Sequence, residues 1–254
     1  NDDSLVNVIT NMKKVIKFIL CGLQETNYPI SYDEKLQTIY NYIALTRGKK
    51  SLDEKKFKDE HYNDAKQYIN SYNFIGPNQV TLQFNNIIKP FQGQLDNINT
   101  NYTVTEKADG LRKLLYIDYR GKLYFITTRL DVQYTGMKAS DKSLFNTLLD
   151  GEHILYNKKA EFINLFAVFD MYISNGVDVR QNPLFNPELT SARYNRLCEY
   201  VNLVSVNFKN VVGNIKNSLK IRPKTFYGNS QNIFVACNQL LTNIEKGLFE
   251  YETD

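Results

Sequence analysis

The chain contains no tryptophan, three cysteines, two histidines and no long apolar run. A membrane-spanning helix needs roughly 18–20 consecutive apolar residues. The nearest stretch, VIKFILCGL, is too short and carries Lys17. No N-terminal succession of basic, apolar and small residues marks a secretory signal. Cys21, Cys198 and Cys237 are odd in number and form no C-x-x-C pair. They read as reduced, mostly core thiols of a cytosolic protein. Only His61 and His153 could join them, and no zinc-ligand spacing appears. The first residue is not Met, so a piece of a longer chain is expected.

What is present suits a globular protein. The 254 residues are enough for one large or two smaller domains. A net charge of +4 is compatible with an anionic substrate but is no polybasic tail. Apolar periodicity predicts helices over 3–24, with Ser4 as a cap, and over 31–45. A charged loop and a solvated helix follow, to about Tyr68. Gly76-Pro77 and the alternation of Val80, Leu82 and Phe84 mark a boundary near residue 75. Two hairpins come next. The first has strands Leu114–Tyr119 and Leu123–Thr128 around Arg120-Gly121-Lys122. The second has strands Thr147–Tyr156 and Phe162–Ile173. Helical periodicity returns in PELTSARYNRLCEYVNLV and over Asn232–Gly247, and LFEYETD looks like a further strand. Hairpins close in sequence imply an α+β fold with a mainly antiparallel sheet rather than a parallel one. The expected organisation is a helical segment, 1–75, followed by an α+β domain, 76–254.

TEKADGLR, residues 105–112, places a lysine, an acid, a glycine and an arginine at the mouth of the first strand. By itself it is either a solvated turn, since Asp-Gly is a common turn pair, or the seat of a lysine nucleophile. Further elements follow in order. LYFITTR ends in Arg129, TLLDGEHI contains Asp150-Gly151-Glu152, FAVFD ends in Phe169-Asp170, and the chain closes on Glu252-Thr253-Asp254.

In that order these elements resemble the motifs of the covalent nucleotidyltransferases, the mRNA guanylyltransferases and polynucleotide ligases. Lys107-Ala108-Asp109-Gly110-Leu111-Arg112 resembles K-x-D-G-x-R. Together with IGPNQVTLQFNNI and FAVFDMYISNG, the motif spelling is most similar to the guanylyltransferase domain of multifunctional capping enzymes from large DNA viruses. The resemblance covers roughly residues 80–254. It implies a nucleotidyltransferase fold and transfer of GMP from GTP, through a lysyl-GMP intermediate, to the 5′-diphosphate end of RNA. It implies Mg²⁺ or Mn²⁺, other capping domains in the parent chain, and the host cytoplasm or a virion as the location.

The resemblance also assigns roles. Lys107 is the nucleophile. A free lysine has a pKa of ~10.4, so nearby cations or desolvation must help it lose a proton; Arg112, Arg129 and Lys113 are the candidate cations. Arg112 and Arg129 would bind nucleotide, Arg112 holding a phosphate or ribose oxygen with its planar fork. Glu152 faces ribose and metal, and Asp254 sits by metal and phosphates. Phe169 would stack on the purine, with Phe166 as its competitor. Asp109 stabilises the turn, Gly110 permits an unusual backbone angle, and Asp150 is structural. His153 should face away from Glu152 along the strand.

The pattern also departs from the family. A K-x-K strand and an oligonucleotide-binding (OB) domain do not follow, so the chain alone is expected to bind nucleotide weakly and to form adduct poorly. Two other functions stay open on the residues. One is an ATP-dependent DNA or RNA ligase working through lysyl-AMP. The other is a noncatalytic nucleic-acid-binding module.

Overall fold

Alternation along the central strands decides the architecture. Neighbouring strand residues point to opposite faces, and in this chain both sets are apolar, so the sheet must be covered twice. The computed structural model describes residues 2–88, 97–99, 101–210, 218–228 and 232–253. Its strands are β1 (Thr103–Val104), β2 (Leu111–Ile117), β3 (Lys122–Thr127), β4 (Val132–Ala139), β5 (Thr147–Tyr156), β6 (Phe162–Ser174), β7 (Val177–Asp178), β8 (Phe208–Asn210), β9 (Lys220–Pro223) and β10 (Tyr227–Gly228). The helices are α1 (Asp2–Gln24), α2 (Tyr32–Thr46), α3 (Asp59–Tyr68), α4 (Arg193–Asn207) and α5 (Ile233–Glu245). The main sheet runs β7-β6-β5-β2-β3-β4-β8, with β9 added in parallel to β6. All other pairings in it are antiparallel, and β1 and β10 form a separate two-stranded ribbon.

One face of the sheet buries Leu115, Leu149, Phe166 and Val168 against Leu197, Val201 and Val204 of α4. The other buries Leu114, Tyr116, Tyr124 and Leu148 against Ile39, Tyr42 and Ile43 of α2. Helix α2 starts at Ser31, whose hydroxyl accepts from the Glu34 N–H at 3.1 Å, a regular N-cap. Glu34 then ties the helix to the sheet, accepting from Lys122 Nζ and from the Tyr124 hydroxyl, each at 2.6 Å.

Several expectations need correcting. Val80, Leu82 and Phe84 are exposed and form no strand; a single 3₁₀ turn, Phe84–Asn86, follows instead. Strand β4, VQYTGMKA, lies outside the expected hairpins, because its polar and small residues blur the period. The helix expected in PELTSARYNRLCEYVNLV begins only at Arg193. Ser4 lies inside α1 rather than capping it. Helix α1 is amphipathic, yet its apolar residues, Leu5 through Leu23, lie largely exposed. Among the described residues no helix is long and apolar enough to cross a membrane.

Lys113 and His153 belong to the α4 face. Lys113 is 7% exposed, and its Nζ donates to Gln133 Oε1 at 2.7 Å and lies 3.0 Å from His153 Nδ1. With Nδ1 accepting, the ring proton sits on Nε2 and is donated to Asn164 Oδ1 at 2.8 Å. Burial, reinforced by the Lys113 charge, holds the imidazole down to about 4 from its ordinary 6.5. Between those values the unfolded chain binds a proton that the folded chain does not, so stability falls as pH drops from 6.5 toward 4. The gap is worth on the order of 3 kcal/mol. Urea denaturation across this window should show a loss of that order, flattened in His153→Gln; an unchanged slope in the variant would remove His153 as its source.

Candidate active site

The first residues of β2 meet the middle of β5, where Arg112 pairs in register with Glu152. Beside them lies a cleft of about 400 Å³. Lys107, Arg112, Glu152, Phe169 and Lys224 line it, with Pro77 and its neighbours closing one side. The volume falls within the usual range for small-ligand sites.

Arg112 is the anchor of this part of the sheet. Its Nε and Nη2 donate to the two oxygens of Asp150, at 3.2 and 2.6 Å, and Nη1 donates to the Pro77 carbonyl at 2.9 Å. Asp150 is fully buried and also accepts from the Tyr172 hydroxyl at 2.5 Å. Burial pushes the Asp150 carboxyl upward, and Arg112 and Tyr172 oppose it. Gly76 leaves room for this guanidinium, because a Cβ would fall 2.5 Å from Arg112 Nη2 and push it off Asp150. The Gly-Pro step therefore wraps the guanidinium, which also lies 5.7 Å from the Phe74 ring centroid and 5.8 Å from that of Phe169.

Lys107 lies on an extended segment and not in a self-contained turn. The segment is pinned from the far end of the chain, with Ala108 bridging to Thr253 and the Asp109 N–H donating to the Glu252 carbonyl at 3.1 Å. Glu106, before it, is buried and accepts from the Tyr251 and Thr105 hydroxyls. Gly110 serves a different purpose from the one expected. Its φ is not positive, but a Cβ would stand 3.0 Å from Ile154 and 3.1 Å from the His153 carbonyl. Space, not backbone angle, calls for glycine.

Phe169 and Asp170 both line the cleft, although adjacent strand residues normally diverge. A β-bulge resolves this. Asp150 pairs with Asp170 and Gly151 with Val168, so Phe169 is the extra residue, re-aimed by the irregularity. Phe166, its competitor, is a fully buried core residue packed 5.1 Å from Phe125. The Asp170 carboxylate receives Arg193 Nε and Nη2 at 2.8 and 3.0 Å, which locks the start of α4.

Glu152 has a distinctive state. Its Oε2 is buried without a hydrogen-bond partner among the described residues. Burial raises its carboxyl above the ordinary range, with Lys224 the largest opposing influence. A buried acceptor left open at a cleft suits a hydroxyl or a hard cation. Among the described residues no three His, Cys, Asp or Glu side chains cluster as a metal cage. Asp254, the second expected metal contact, lies outside the described residues.

Two of the expected cations are not in the cleft wall. Lys113 points to the opposite face of the sheet, as alternation after Arg112 demands. Arg129 is exposed on the β3–β4 turn, where Leu130, at φ 63° and fully buried, anchors the loop in the core. A different cation takes the position. Lys224 follows β9, is buried, donates through Nζ to the Glu106 carbonyl, and lies 5.9 Å from the Phe169 centroid. Desolvation lowers its pKa, with Glu106 and Glu152 opposing. Its only sequence signal was the short alternating run KIRPK.

The family model described as mRNA capping enzyme, catalytic domain, matches residues 46–248. The chain belongs to this family. It is accordingly a nucleotidyltransferase domain of mRNA capping, a class whose substrates are GTP and the RNA 5′ end.

The Arg112–Asp150 pair generates a prediction. Removing one partner of a buried pair typically costs about 3–5 kcal/mol, because the other charge is stranded. Asp150→Ala should therefore lower the urea midpoint steeply, and Asp150→Asn less so, since an amide still accepts from Arg112. A wild-type midpoint in both would show that the pair does not support the fold.

Proposed function

We propose that the chain is the guanylyltransferase domain of an mRNA capping enzyme, working through a covalent lysyl-GMP. The observation that carries this reading is the convergence, in one cleft, of Lys107, two further cations and the partnerless oxygen of Glu152. Lys107 Nζ attacks the α-phosphorus of GTP. A P–N bond forms, the bond to pyrophosphate breaks, and the amine gives up its proton. In the second step a terminal oxygen of the RNA 5′-diphosphate attacks the same phosphorus, the P–N bond breaks, and Lys107 regains a proton. Splitting the transfer keeps the activated nucleotide on the protein until RNA arrives. A hard cation, when bound, neutralises triphosphate oxygens and the departing pyrophosphate.

The remaining residues take positioning roles on this reading. Phe169 supplies a face for the base. Glu152 orients a ribose hydroxyl or the cation. Arg112 holds the cleft's shape through Asp150 while adding positive charge. Lys224 supplies the base discrimination that the motifs leave open. An ammonium can only donate, guanine offers an acceptor at O6, and adenine offers a donor at N6. A lysine at the edge of a base stacked on Phe169 thus favours guanine, which separates this reading from a lysyl-AMP ligase. RNA would be held mainly by backbone charge and released by salt.

The test is incubation of the full-length protein with α-radiolabelled GTP or ATP and Mg²⁺ or Mn²⁺, followed by a denaturing gel. Label from GTP and not ATP is expected, with none in a folded Lys107→Ala variant. Survival of the label in that variant would sink Lys107 as the nucleophile, and preference for ATP would sink the capping assignment. Lys224→Met should reduce the preference for GTP over ATP by about 10–100-fold, the worth of one hydrogen bond to a charged group; an unaltered ratio would place base selection elsewhere.

A further inference from the structure

We infer that the chain carries a second ligand site, on the sheet face opposite the nucleotide cleft. It takes a small organic anion, a single carboxylate or phosphate on an apolar or aromatic body. The site is a cavity of about 510 Å³ between the C-terminal end of α1 and the ends of β2, β4, β5 and β6. Its polar floor is Lys113, Gln133, His153 and Asn164, and its walls include Tyr28 and Phe162.

The argument starts from the charge on Lys113. An ammonium has three N–H donors. Two are directed at neutral acceptors, Gln133 Oε1 and His153 Nδ1. Among the described residues no carboxylate lies within ion-pair distance of it. Glu25 also lines the cavity and its charge acts on Lys113, but from beyond ion-pair distance; its carboxylate accepts instead from Gln133 Nε2 at 3.4 Å. The imidazole is fixed as an acceptor toward Lys113 by its own donation to Asn164. A buried charge with no carboxylate in contact is costly. Here it faces a cavity many times the ~30 Å³ share of one water molecule. An anionic group entering the cavity supplies the missing contact ion pair and the third acceptor. The aromatic and aliphatic walls then select a ligand with an apolar body over a bare ion. Arg112 and Lys113 are neighbours in one strand with opposite directions, so the two sites stay separate.

Cys21 lines this cavity and reports on its occupancy. Phenyl phosphate is the ligand to try, with benzyl alcohol as its uncharged counterpart. Alkylation of Cys21 in the full-length protein, followed by peptide mass spectrometry, measures protection. Phenyl phosphate should slow the reaction saturably, benzyl alcohol should not, and saturating GTP should neither protect Cys21 nor displace phenyl phosphate. Lys113→Met, with its circular dichroism checked, should raise the apparent Kd by about tenfold or more, the loss of one charge-assisted contact. Leu155→Trp, a substitution at the half-exposed wall, should block the cavity without touching the polar floor. Full protection in Lys113→Met, equal protection by benzyl alcohol, or no saturable protection by phenyl phosphate would each overturn the proposal.

Discussion

The pairing of Arg112 with Asp150 holds the functional part of the sheet together. The guanidinium sits on β2, the carboxylate on β5, and the contact is completed by Tyr172 from β6 and the carbonyl of Pro77. Four separate stretches of chain thus converge on one charge pair whose carboxylate is fully buried. Desolvating an ion pair is costly unless its geometry is good and its remaining hydrogen-bonding groups are satisfied. Here both conditions are met by a bidentate fork, a tyrosine hydroxyl and a backbone acceptor. That arrangement sets where Glu152, two residues on from Asp150, meets the cleft. It also sets how Phe169 leaves the strand, since the bulge begins where Asp150 pairs with Asp170.

Alternation in β2 divides the protein's chemistry in two. Arg112 faces a cleft rich in cations and suited to phosphates; Lys113 faces an enclosed network in which its own charge is the anomaly. Each face has its own apolar cover, α2 on one side and α4 on the other. The segment bearing Lys107 is held outside the sheet by a bridge to residues near the end of the chain. Residues late in the chain and residues from its middle therefore cooperate in placing Lys107. This is a long-range constraint that no local motif describes.

Much of the fold was legible because it rests on short-range regularities. The 3.6-residue period of α2 and α5 and the hairpin β2–β3 declared themselves, as did the full span Thr147–Tyr156. Apolar period and turn chemistry are properties of adjacent residues. The capping-enzyme family was legible from the order of the motifs around Lys107, Glu152 and Phe169. Other features were hidden for physical reasons. Lys224 is a lone lysine until β9 docks beside β6 and buries it. Arg193 pairs with Asp170 from 23 positions away. Gly110 was misread because a glycine's need for space depends on what packs above it, here Ile154 and His153.

From the residues alone came the periodic elements, the apolar faces of the central strands and the succession of motifs, since each follows from side-chain chemistry at fixed spacing. Tertiary structure alone decided which cations enter the cleft, replacing Arg129 and Lys113 with Lys224. It also turned Phe169 into the cleft beside Asp170 and left Lys113 buried without a carboxylate in contact. The reason is the same in each case. Direction and burial are set by register, bulges and docking between distant segments, and those are relations between parts of the chain that no single stretch contains.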